Sequence, residues 1–211
     1  LLFVGIFVKL DLVSYFLENL RGAYYKRYMT NFNFIKMNGL GNDFVIIDQR
    51  NGPFQLNENQ IKTICDRKQG IGCDQLIYIR NSDQNEFCLM KFFNSSGEEI
   101  SACGNGTRCV ANYLMTEIDS NEIKINTIEK IVSCKKLEDN IISVEMGKPK
   151  FHWDEIPLSH DIKQDVPTFK LGEKVITSPF FVNIGNPHAV FFVNDINNYN
   201  IDKFGPLIEC N

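Results

Sequence analysis

A short glycine-bearing stretch directly in front of a helical pattern constrains the fold of this chain most. Residues 101–109 are Ser-Ala-Cys-Gly-Asn-Gly-Thr-Arg-Cys, and the segment Phe87–Phe93 before them is typical of a strand that ends in a turn. The apolar residues that follow recur with the period of a helix that buries one face, namely Cys109, Val110, Tyr113 and Leu114. Cys103 is therefore predicted to lie where a loop becomes the first turn of a helix.

Two interpretations of this stretch remain open from its local features. The unpaired backbone N–H groups and the positive end of the helix dipole favour negative charge, so a Cys103 thiolate or a bound carboxylate would be stabilised there. Gly104 and Gly106 would let a ligand approach the main chain without meeting a Cβ atom. The alternative is a small buried cysteine in a glycine-rich turn, because free cysteine is among the most buried residue types.

The composition restricts the class of protein. The chain has 211 residues, 44% hydrophobic and 23% charged, with a net charge of −4 and no block of basic residues, which disfavours nucleic-acid binding. Its 7 cysteines are odd in number and irregularly spaced, so they favour a reducing cytosol over a secreted disulfide framework. No pair has the spacing C-x-x-C, and the 3 histidines lie far from the cysteine cluster in sequence, so no metal site is expected.

The first 32 residues differ in pattern from the rest of the chain. The apolar run Leu1–Val8 is interrupted by Lys9 and Asp11, well short of the roughly 20 residues that a membrane-spanning helix needs. It lacks the basic leader and cleavage site of a signal peptide. We therefore expect no membrane partner, and our hypothesis is that Met29 is the natural start and that residues 1–32 form an upstream or non-native extension.

The remaining pattern alternates short strands with helices. Asn57 and Gln60 resemble a capping box at the start of a helix over 57–68, and a second helix is predicted over 104–116. Residues 38–43, with two glycines, are predicted to form a loop that needs positive φ or a close backbone approach. Residues 150–174 are polar and proline-bearing, and no closing element is predicted near the C-terminal Gly205-Pro206. The predicted strands are Phe34–Met37, Phe44–Asp48, Gln75–Ile79, Phe87–Phe93, Ile123–Thr127, Ile131–Cys134, Ile141–Met146, Phe180–Ile184 and Ala189–Val193.

An internal echo suggests two related halves. Residues 144–149 and 182–187 share the form V-x-[MI]-G-x-P. A match of six residues is weak by itself, but it is what an internal duplication would leave.

Five segments together resemble diaminopimelate epimerase, a family of amino-acid epimerases that work without pyridoxal phosphate. Their order and spacing agree with the family over about Phe34 to Pro206. The segments are Lys36-Met37-Asn38-Gly39-Leu40-Gly41-Asn42-Asp43-Phe44, Gly70-Ile71-Gly72-Cys73-Asp74-Gln75-Leu76, Phe93-Asn94-Ser95-Ser96-Gly97, Cys103-Gly104-Asn105-Gly106-Thr107-Arg108-Cys109 and Gly185-Asn186-Pro187-His188.

The resemblance implies an α/β (α+β) fold of two pseudo-symmetric halves, each a curved sheet wrapped around a central helix. It places an N-terminal epimerase domain over 33–147 and an incomplete C-terminal epimerase domain over 148–211. It implies an isomerase that interconverts L,L- and meso-2,6-diaminopimelate in lysine and cell-wall precursor biosynthesis. It further implies a cytoplasmic protein with a small amino-acid substrate and no cofactor. A homodimer is compatible with the resemblance.

The resemblance also assigns roles to individual residues. Cys103 would be one of two catalytic cysteines, and His188 would influence the thiols. The substrate would be contacted by Asn42, Gln75, Asn94, Gly104, Asn105 and Asn186. The chemistry agrees, because inversion needs one group to remove the α-proton and a second to deliver a proton to the opposite face. A thiol, with an ordinary pKa of about 8.5, needs only a modest downward shift to act as the base.

Each of these residues also has a purely structural interpretation. Asn42 could tolerate a left-handed backbone, Asn94 and Asn186 could be turn residues, Gln75 could be solvated and His188 could be structural. Arg108 could be a surface charge. The remaining cysteines are predicted to be packing residues or incidental thiols, namely Cys65, Cys73, Cys88, Cys109, Cys134 and Cys210.

One departure from the family pattern concerns the second thiol. The family carries a second Cys-Gly-x-Gly stretch beyond the Gly-Pro-Leu segment, and Cys210 does not fit it because no glycine follows. These 211 residues are therefore expected to be a truncated epimerase that is inactive by itself. Two alternatives stay open: another cofactor-independent racemase of the same fold that resembles proline racemase or hydroxyproline epimerase, and an inactive copy that acts at most as a binding protein.

Overall fold

The computed structural model describes residues 6–10, 32–83, 87–101, 103–138, 141–156, 158–161, 167–171 and 174–209. The chain divides into two compact units, of which the first ends at Glu145 and the second begins at Met146. The predicted start at Met29 lies outside the described residues. In the described part of the chain, no helix is long and apolar enough to cross a bilayer.

One mixed sheet and two helices make up the described part of the first unit. The sheet runs in the order β1-β2-β3-β4-β5-β7-β8-β9, with β6 paired to β5. Its strands are β1 Ile6–Leu10, β2 Phe32–Gly39, β3 Asn42–Asp48, β4 Gln75–Arg80, β5 Cys88–Asn94, β6 Glu99–Ile100, β7 Glu122–Asn126, β8 Ile131–Glu138 and β9 Ile141–Val144. The helices are α1 Glu58–Cys65 and α2 Gly104–Glu117.

The sheet curves around α2. Ile35 on β2 and Ile142 on β9, which lie near opposite ends of the sheet, belong to the same buried cluster as Leu114 of α2. A flat sheet could not bring both ends to one helix, so the sheet is rolled about the apolar face of α2. This agrees with the predicted α+β fold, in which a curved sheet is wrapped around a central helix.

The other face of the sheet packs on α1. Ile61, Ile64 and Cys65 of this helix form a second buried cluster with residues of β3 and β4 such as Tyr78. The predicted capping box is present, because the Asn57 side chain accepts from the Gln60 N–H and the Gln60 side chain accepts from the Asn57 N–H. The helix begins at Glu58 as this box requires.

The hairpin between β2 and β3 is tighter than predicted. The two strands extend to Gly39 and from Asn42, which leaves Leu40 and Gly41 as a two-residue turn with φ of 57° and 90°. Positive φ at both positions is typical of a type I′ turn, whose twist matches that of the strands it joins. The need for positive φ is confirmed, and Leu40 rather than Asn42 is the non-glycine residue that adopts it.

The described part of the second unit contains two hairpins and two short helices. One hairpin joins β10 Thr168–Leu171 and β11 Lys174–Thr177, and the other joins β12 Phe180–Asn183 and β13 Pro187–Val190. A 3₁₀ turn, Ile196–Asn198, precedes α3, Ile201–Glu209.

Two predictions for this unit are wrong. β13 begins and ends earlier than the predicted strand Ala189–Val193, and the first hairpin begins within the polar stretch 150–174, for which no strand was predicted. The absence of a closing element is also wrong. Ile201, Phe204 and Ile208 recur with helical spacing, and α3 continues through Pro206 despite the proline.

Candidate active site

Cys103 caps the N-terminus of α2. Its backbone is extended, with φ −147° and ψ 107°, and its Sγ accepts a hydrogen bond from the Gly106 N–H over 3.4 Å. Its carbonyl oxygen accepts from the Thr107 N–H and the Thr107 hydroxyl, both over 2.8 Å. The thiol therefore takes the place that a serine or aspartate side chain usually fills at a helix start, as the sequence predicts.

The protonation state of Cys103 differs from the prediction. Burial raises the pKa of the Cys103 thiol, and the backbone N–H groups of Gly106 and Asn105 and the charge of Arg108 oppose this only in part. The net shift is upward, so the predicted depression of the pKa is wrong in direction. The physical reason is that Cys103 packs against the cluster around α2. The loss of solvent there raises the pKa by more than the N–H groups in the first turn of the helix lower it. At neutral pH the group is a thiol that can donate a proton.

Three predicted substrate contacts lie at one end of the sheet. Asn42 begins β3, Gln75 begins β4 and Asn94 ends β5. Gln75 is the register partner of Phe44 on parallel β3 and of Asn94 on antiparallel β5. The three side chains thus share one sheet end, which we call the amide edge.

The first turn of α2 packs close to the amide edge. A Cβ atom on Gly106 would lie 2.8 Å from Cδ1 of Ile77, 3.1 Å from Phe92 and 3.4 Å from Phe44. Each of these three side chains is two residues along its strand from an amide-edge residue. A glycine is therefore required at 106, and the packing brings Cys103, Gly104 and Asn105 to the sheet end that carries the amide edge.

The β2–β3 hairpin also reaches the first turns of α2. A Cβ atom on Gly39 would lie 3.1 Å from Sγ of Cys109 and 3.4 Å from the carbonyl oxygen of Asn105. Such contacts are tighter than ordinary van der Waals packing. The hairpin that leads into Asn42 therefore lies close to the backbone of α2, which agrees with the close backbone approach predicted for residues 38–43.

The amide side chains differ in how their polar atoms are used. Among the described residues, Oε1 of Gln75 is buried without a hydrogen-bond donor, so Gln75 is not the solvated residue of the structural alternative. Oδ1 of Asn94 accepts from the N–H groups of Ser96 and Glu98 over 3.1 and 3.0 Å, which is turn chemistry. Oδ1 of Asn105 accepts from the Arg108 guanidinium, so Arg108 contacts the helix start.

A network of charged side chains beside the amide edge was not predicted. Lys36, Asp43, Arg67 and Asp74 are joined by ion pairs, of which Lys36 Nζ to Asp43 Oδ2 and Arg67 Nη2 to Asp74 Oδ1 both measure 2.7 Å. Lys36, Asp43 and Asp74 lie inside the segments that resemble the family, and this was the sequence signal that could have identified them. Arg67 lies outside these segments, and nothing in its sequence context distinguished it.

The last two predicted site residues lie in the second unit. Asn186 is exposed in the turn between β12 and β13, where its carbonyl oxygen accepts from the Ile184 N–H over 3.3 Å. His188 is exposed on β13 opposite Val182 and lines an apolar cavity of about 840 Å³ within this unit, together with Phe191 and Ile208. Their predicted roles toward the substrate and the thiols stay predictions.

The other described cysteines are free thiols that pack in the first unit. Burial raises the pKa of Cys88, Cys109 and Cys134 to about 12. Cys65 and Cys73 lie side by side, with their Sγ atoms 3.4 Å apart. Among the six described cysteines, Cys103 is the one that is only partly buried and caps a helix. Cys210 lies outside the described residues.

Comparison with known proteins shows the family to which the chain belongs. The family model described as diaminopimelate epimerase matches residues 34–152. A protein from Pelagibacter ubique named diaminopimelate epimerase is 44% identical over 177 residues, which cover 82% of this chain and 64% of that protein. A protein of the same name from Phenylobacterium zucineum is 42% identical over 165 residues, which cover 77% of this chain and 59% of that protein.

Solved structures give weaker similarities. A PhzF-family phenazine biosynthesis protein from Bacillus anthracis aligns with a TM-score of 0.46 and 19% identity over 73% of this chain and 55% of that chain. A predicted epimerase from Pseudomonas aeruginosa aligns with a TM-score of 0.47 and 15% identity over 78% and 62% of the two chains. The present chain spans 59 to 64% of the length of the curated relatives above.

Proposed function

The chain belongs to the diaminopimelate epimerase family, and we propose that the protein inverts one α-carbon of 2,6-diaminopimelate, interconverting the L,L and meso isomers, with Cys103 as one of two catalytic thiols. The observation that carries this proposal is the place of Cys103. It caps α2 at the sheet end where Asn42, Gln75 and Asn94 lie.

The proposed reaction is an exchange of one proton for another at the α-carbon. One thiolate removes the α-proton from one face, and the thiol on the opposite face delivers its own proton, so the substrate keeps its composition and one stereocentre is inverted. Cys103 serves as the proton donor in one direction, because burial raises the pKa of its thiol and keeps it protonated. After the exchange it is the thiolate, ready for the reverse reaction.

The first turn of α2 stabilises the negative charge that develops during this exchange. The backbone N–H groups of Asn105 and Gly106 point to Cys103 Sγ and stabilise its thiolate form. The start of α2, including Gly104, is also suited to the α-carboxylate of the substrate, because helix N-termini present unpaired donors to anions. This stabilisation offsets part of the cost of forming a carbanion next to a carboxylate.

The amide edge supplies groups for the amino-acid ends of the substrate. The buried Oε1 of Gln75 suits a substrate ammonium, which carries only donors. Asn42 and Asn94 would add amide groups from the neighbouring strands, and Asn94 would exchange its turn hydrogen bonds for substrate contacts. For Asn186 and His188 we keep the roles that the family resemblance implies, a substrate contact and an influence on the thiols. We propose that the reaction needs no cofactor and takes place in the cytoplasm. We also propose a homodimer as a candidate oligomeric state.

Proton exchange at the α-carbon tests the function directly. The protein as encoded by its gene is incubated with L,L- or meso-diaminopimelate in D₂O, and loss of the α-proton signal is followed by NMR. We expect exchange with both isomers, and we expect Cys103→Ala to slow it by at least about a thousandfold. Cys103→Ser should leave little activity, because a hydroxyl is a much weaker acid than a thiol.

Controls separate catalysis from folding and from the neighbouring substrate class. Cys134→Ala removes another buried thiol of the first unit, which lies on β8 and not at the helix start, and it should retain exchange. The 211 residues expressed alone contain only one thiol of the proposed pair and should give no inversion. Exchange with proline but not with diaminopimelate would replace the proposal by a proline racemase-like activity.

A further inference from the structure

The start of β3 and the loop before β4 are joined by reciprocal hydrogen bonds. The Asp43 N–H donates to Oδ2 of Asp74 over 3.0 Å. The Asp74 N–H donates to Oδ1 and to the carbonyl oxygen of Asp43, both over 3.0 Å. Asp43 directly follows Asn42, and Asp74 directly precedes Gln75. This pair of aspartates, which we call the clasp, therefore fixes the spacing between two amide-edge residues.

One guanidinium group holds both carboxylates of the clasp. Arg67 donates through Nη1 to Oδ2 of Asp43 over 3.0 Å and through Nη2 to Oδ1 of Asp43 over 2.7 Å. The same Nη2 donates to Oδ1 of Asp74 over 2.7 Å. The planar guanidinium can donate two parallel hydrogen bonds to one carboxylate and a further bond to the other. Lys36 contacts Asp43 as well, through Nζ to Oδ2 over 2.7 Å.

The main chain holds Arg67 in place. Arg67 follows α1 closely, and the loop after it returns to the helix, because the Gly72 N–H donates to the Ile64 carbonyl oxygen over 3.0 Å. Gly72 has φ of +75°, and a Cβ atom there would lie 3.0 Å from Cα of Arg67. The loop thus packs directly on the backbone of Arg67. This packing fixes the backbone from which the Arg67 guanidinium reaches the clasp.

Stability does not explain this arrangement. The Arg67 side chain is 58% exposed, and ion pairs at such exposure add little to folding because water screens them. The arrangement instead fixes the positions of two acidic groups next to the amide edge, because one shared cation keeps them together. Burial raises the pKa of Asp43, but hydrogen bonds from Arg67 and Lys36 and the charge of Lys36 hold that pKa well below its ordinary value, so Asp43 is charged at neutral pH.

We propose that Arg67 is a positioning residue of the active site, which holds the clasp closed and so orients Asn42 and Gln75 toward the amino-acid substrate. This inference rests on the proposed function. Without Arg67, Asp43 and Asp74 lose the cation between them and repel each other, and the start of β3 separates from the loop before β4. A lysine cannot replace it fully, because an ammonium group lacks the planar fork that reaches both carboxylates.

Kinetics of three variants test the proposal in the protein as encoded by its gene. For Arg67→Ala we expect the KM for diaminopimelate to rise roughly tenfold to a hundredfold while kcat falls less, since substrate-binding groups are misplaced and Cys103 is not. Arg67→Lys should recover only part of this loss. The control is Arg50→Ala, because Arg50 pairs with Asp48 and Glu117 at the opposite end of β3. It should leave both constants near those of the unmodified protein.

The outcomes are distinct. KM and kcat unchanged in Arg67→Ala, equal losses in Arg67→Ala and Arg50→Ala, or full recovery by lysine would each overturn the positioning role. An unmodified protein without α-proton exchange would instead refute the proposed function. In that case the side-chain amide NMR signals of Asn42 and Gln75 decide whether Arg67 orients them: they should shift in Arg67→Ala and not in Arg50→Ala, and unshifted signals would refute the inference.

Discussion

The two units of the chain use their apolar side chains in opposite ways. In the first, residues from sheet and helices form two continuous buried clusters, with side chains such as Leu114 and Phe92 at 0 and 1% exposure. In the described part of the second, Ile156 and Pro179 are the buried apolar residues, and Phe192 is 87% exposed.

The contrast follows from how each unit is built. The first rolls a sheet of many strands around α2, so that strands as far apart as β2 and β9 pack on one helix. The described strands of the second are four residues long and form two-stranded hairpins, with one further bridge between Lys150 and Asn183. Isolated hairpins are marginally stable in water because they expose as much apolar surface as they cover. The stability of the molecule is therefore expected to reside in the first unit, together with the rigid part of the candidate site.

Amide hydrogen exchange should show the largest difference between the units. The Ile77 amide lies in the central strand β4 and should exchange only on global opening, with a free energy of about 5 kcal/mol or more. The Val182 amide in the second hairpin should exchange at a far lower opening free energy. Equal protection of the two amides, measured by NMR, would remove the distinction between the units.

A matched pair of phenylalanine truncations should show the next largest effect. Phe92→Ala removes a side chain from the cluster around α2 and should lower the free energy of unfolding by about 3 to 5 kcal/mol. Phe192→Ala removes an exposed ring and should change it by less than about 0.5 kcal/mol. Urea unfolding followed by circular dichroism measures both. Similar losses in the two variants would mean that Phe192 is packed in solution.

A matched pair of glycine substitutions should destabilise the protein at one position and not at the other. Gly106→Ala places a Cβ atom 2.8 Å from Cδ1 of Ile77 and should destabilise the first unit by about 2 kcal/mol. Gly205→Ala, inside α3 with no atom within 4 Å of the new Cβ, should be neutral or slightly stabilising because alanine favours helix. Thermal melts compare the two. A stable Gly106→Ala protein would show that the first turn of α2 can move away from the amide edge.

Alkaline pH should produce the smallest effect. Burial raises the pKa of Cys134 in the folded protein from 9.0 to about 12. Because the folded pKa is the higher one, the stability that this thiol contributes is complete below the unfolded pKa and declines as pH rises toward the folded pKa. Between pH 8 and 10 the decline should be roughly 1 kcal/mol. Cys134→Ala should therefore lose stability with pH less steeply than the unmodified protein, and equal slopes in urea unfolding would contradict this.

Much of the first unit could be predicted because its signals are local. Apolar runs and alternation place the strands, Asn57 and Gln60 place the start of α1, and the glycines before Cys109 place the start of α2. The parallel pairing of β3 with β4 has no local signal, because register depends on partners distant in sequence. The three residues of the amide edge were predicted from family resemblance, and their place at one sheet end follows from the pairing that puts Gln75 beside Asn94.

Two features of the candidate site required the three-dimensional structure. The pKa of Cys103 depends on how much of the thiol is packed against the cluster around α2, which no local pattern reports. Arg67 contacts Asp43, which is 24 residues away, through an exposed side chain. Exposed arginines are common, so nothing in the sequence distinguished this one.

The closure of the rolled sheet has a consequence for the kinetics of folding. Ile35 and Ile142 join one cluster although more than a hundred residues separate them, so the contacts that complete the unit are among the least local it has. Proteins dominated by such distant contacts fold in milliseconds to seconds rather than microseconds. During synthesis, the apolar face of α2 stays uncovered on one side until β9 has emerged from the ribosome, and in that interval the nascent chain is most exposed to aggregation and most in need of a chaperone.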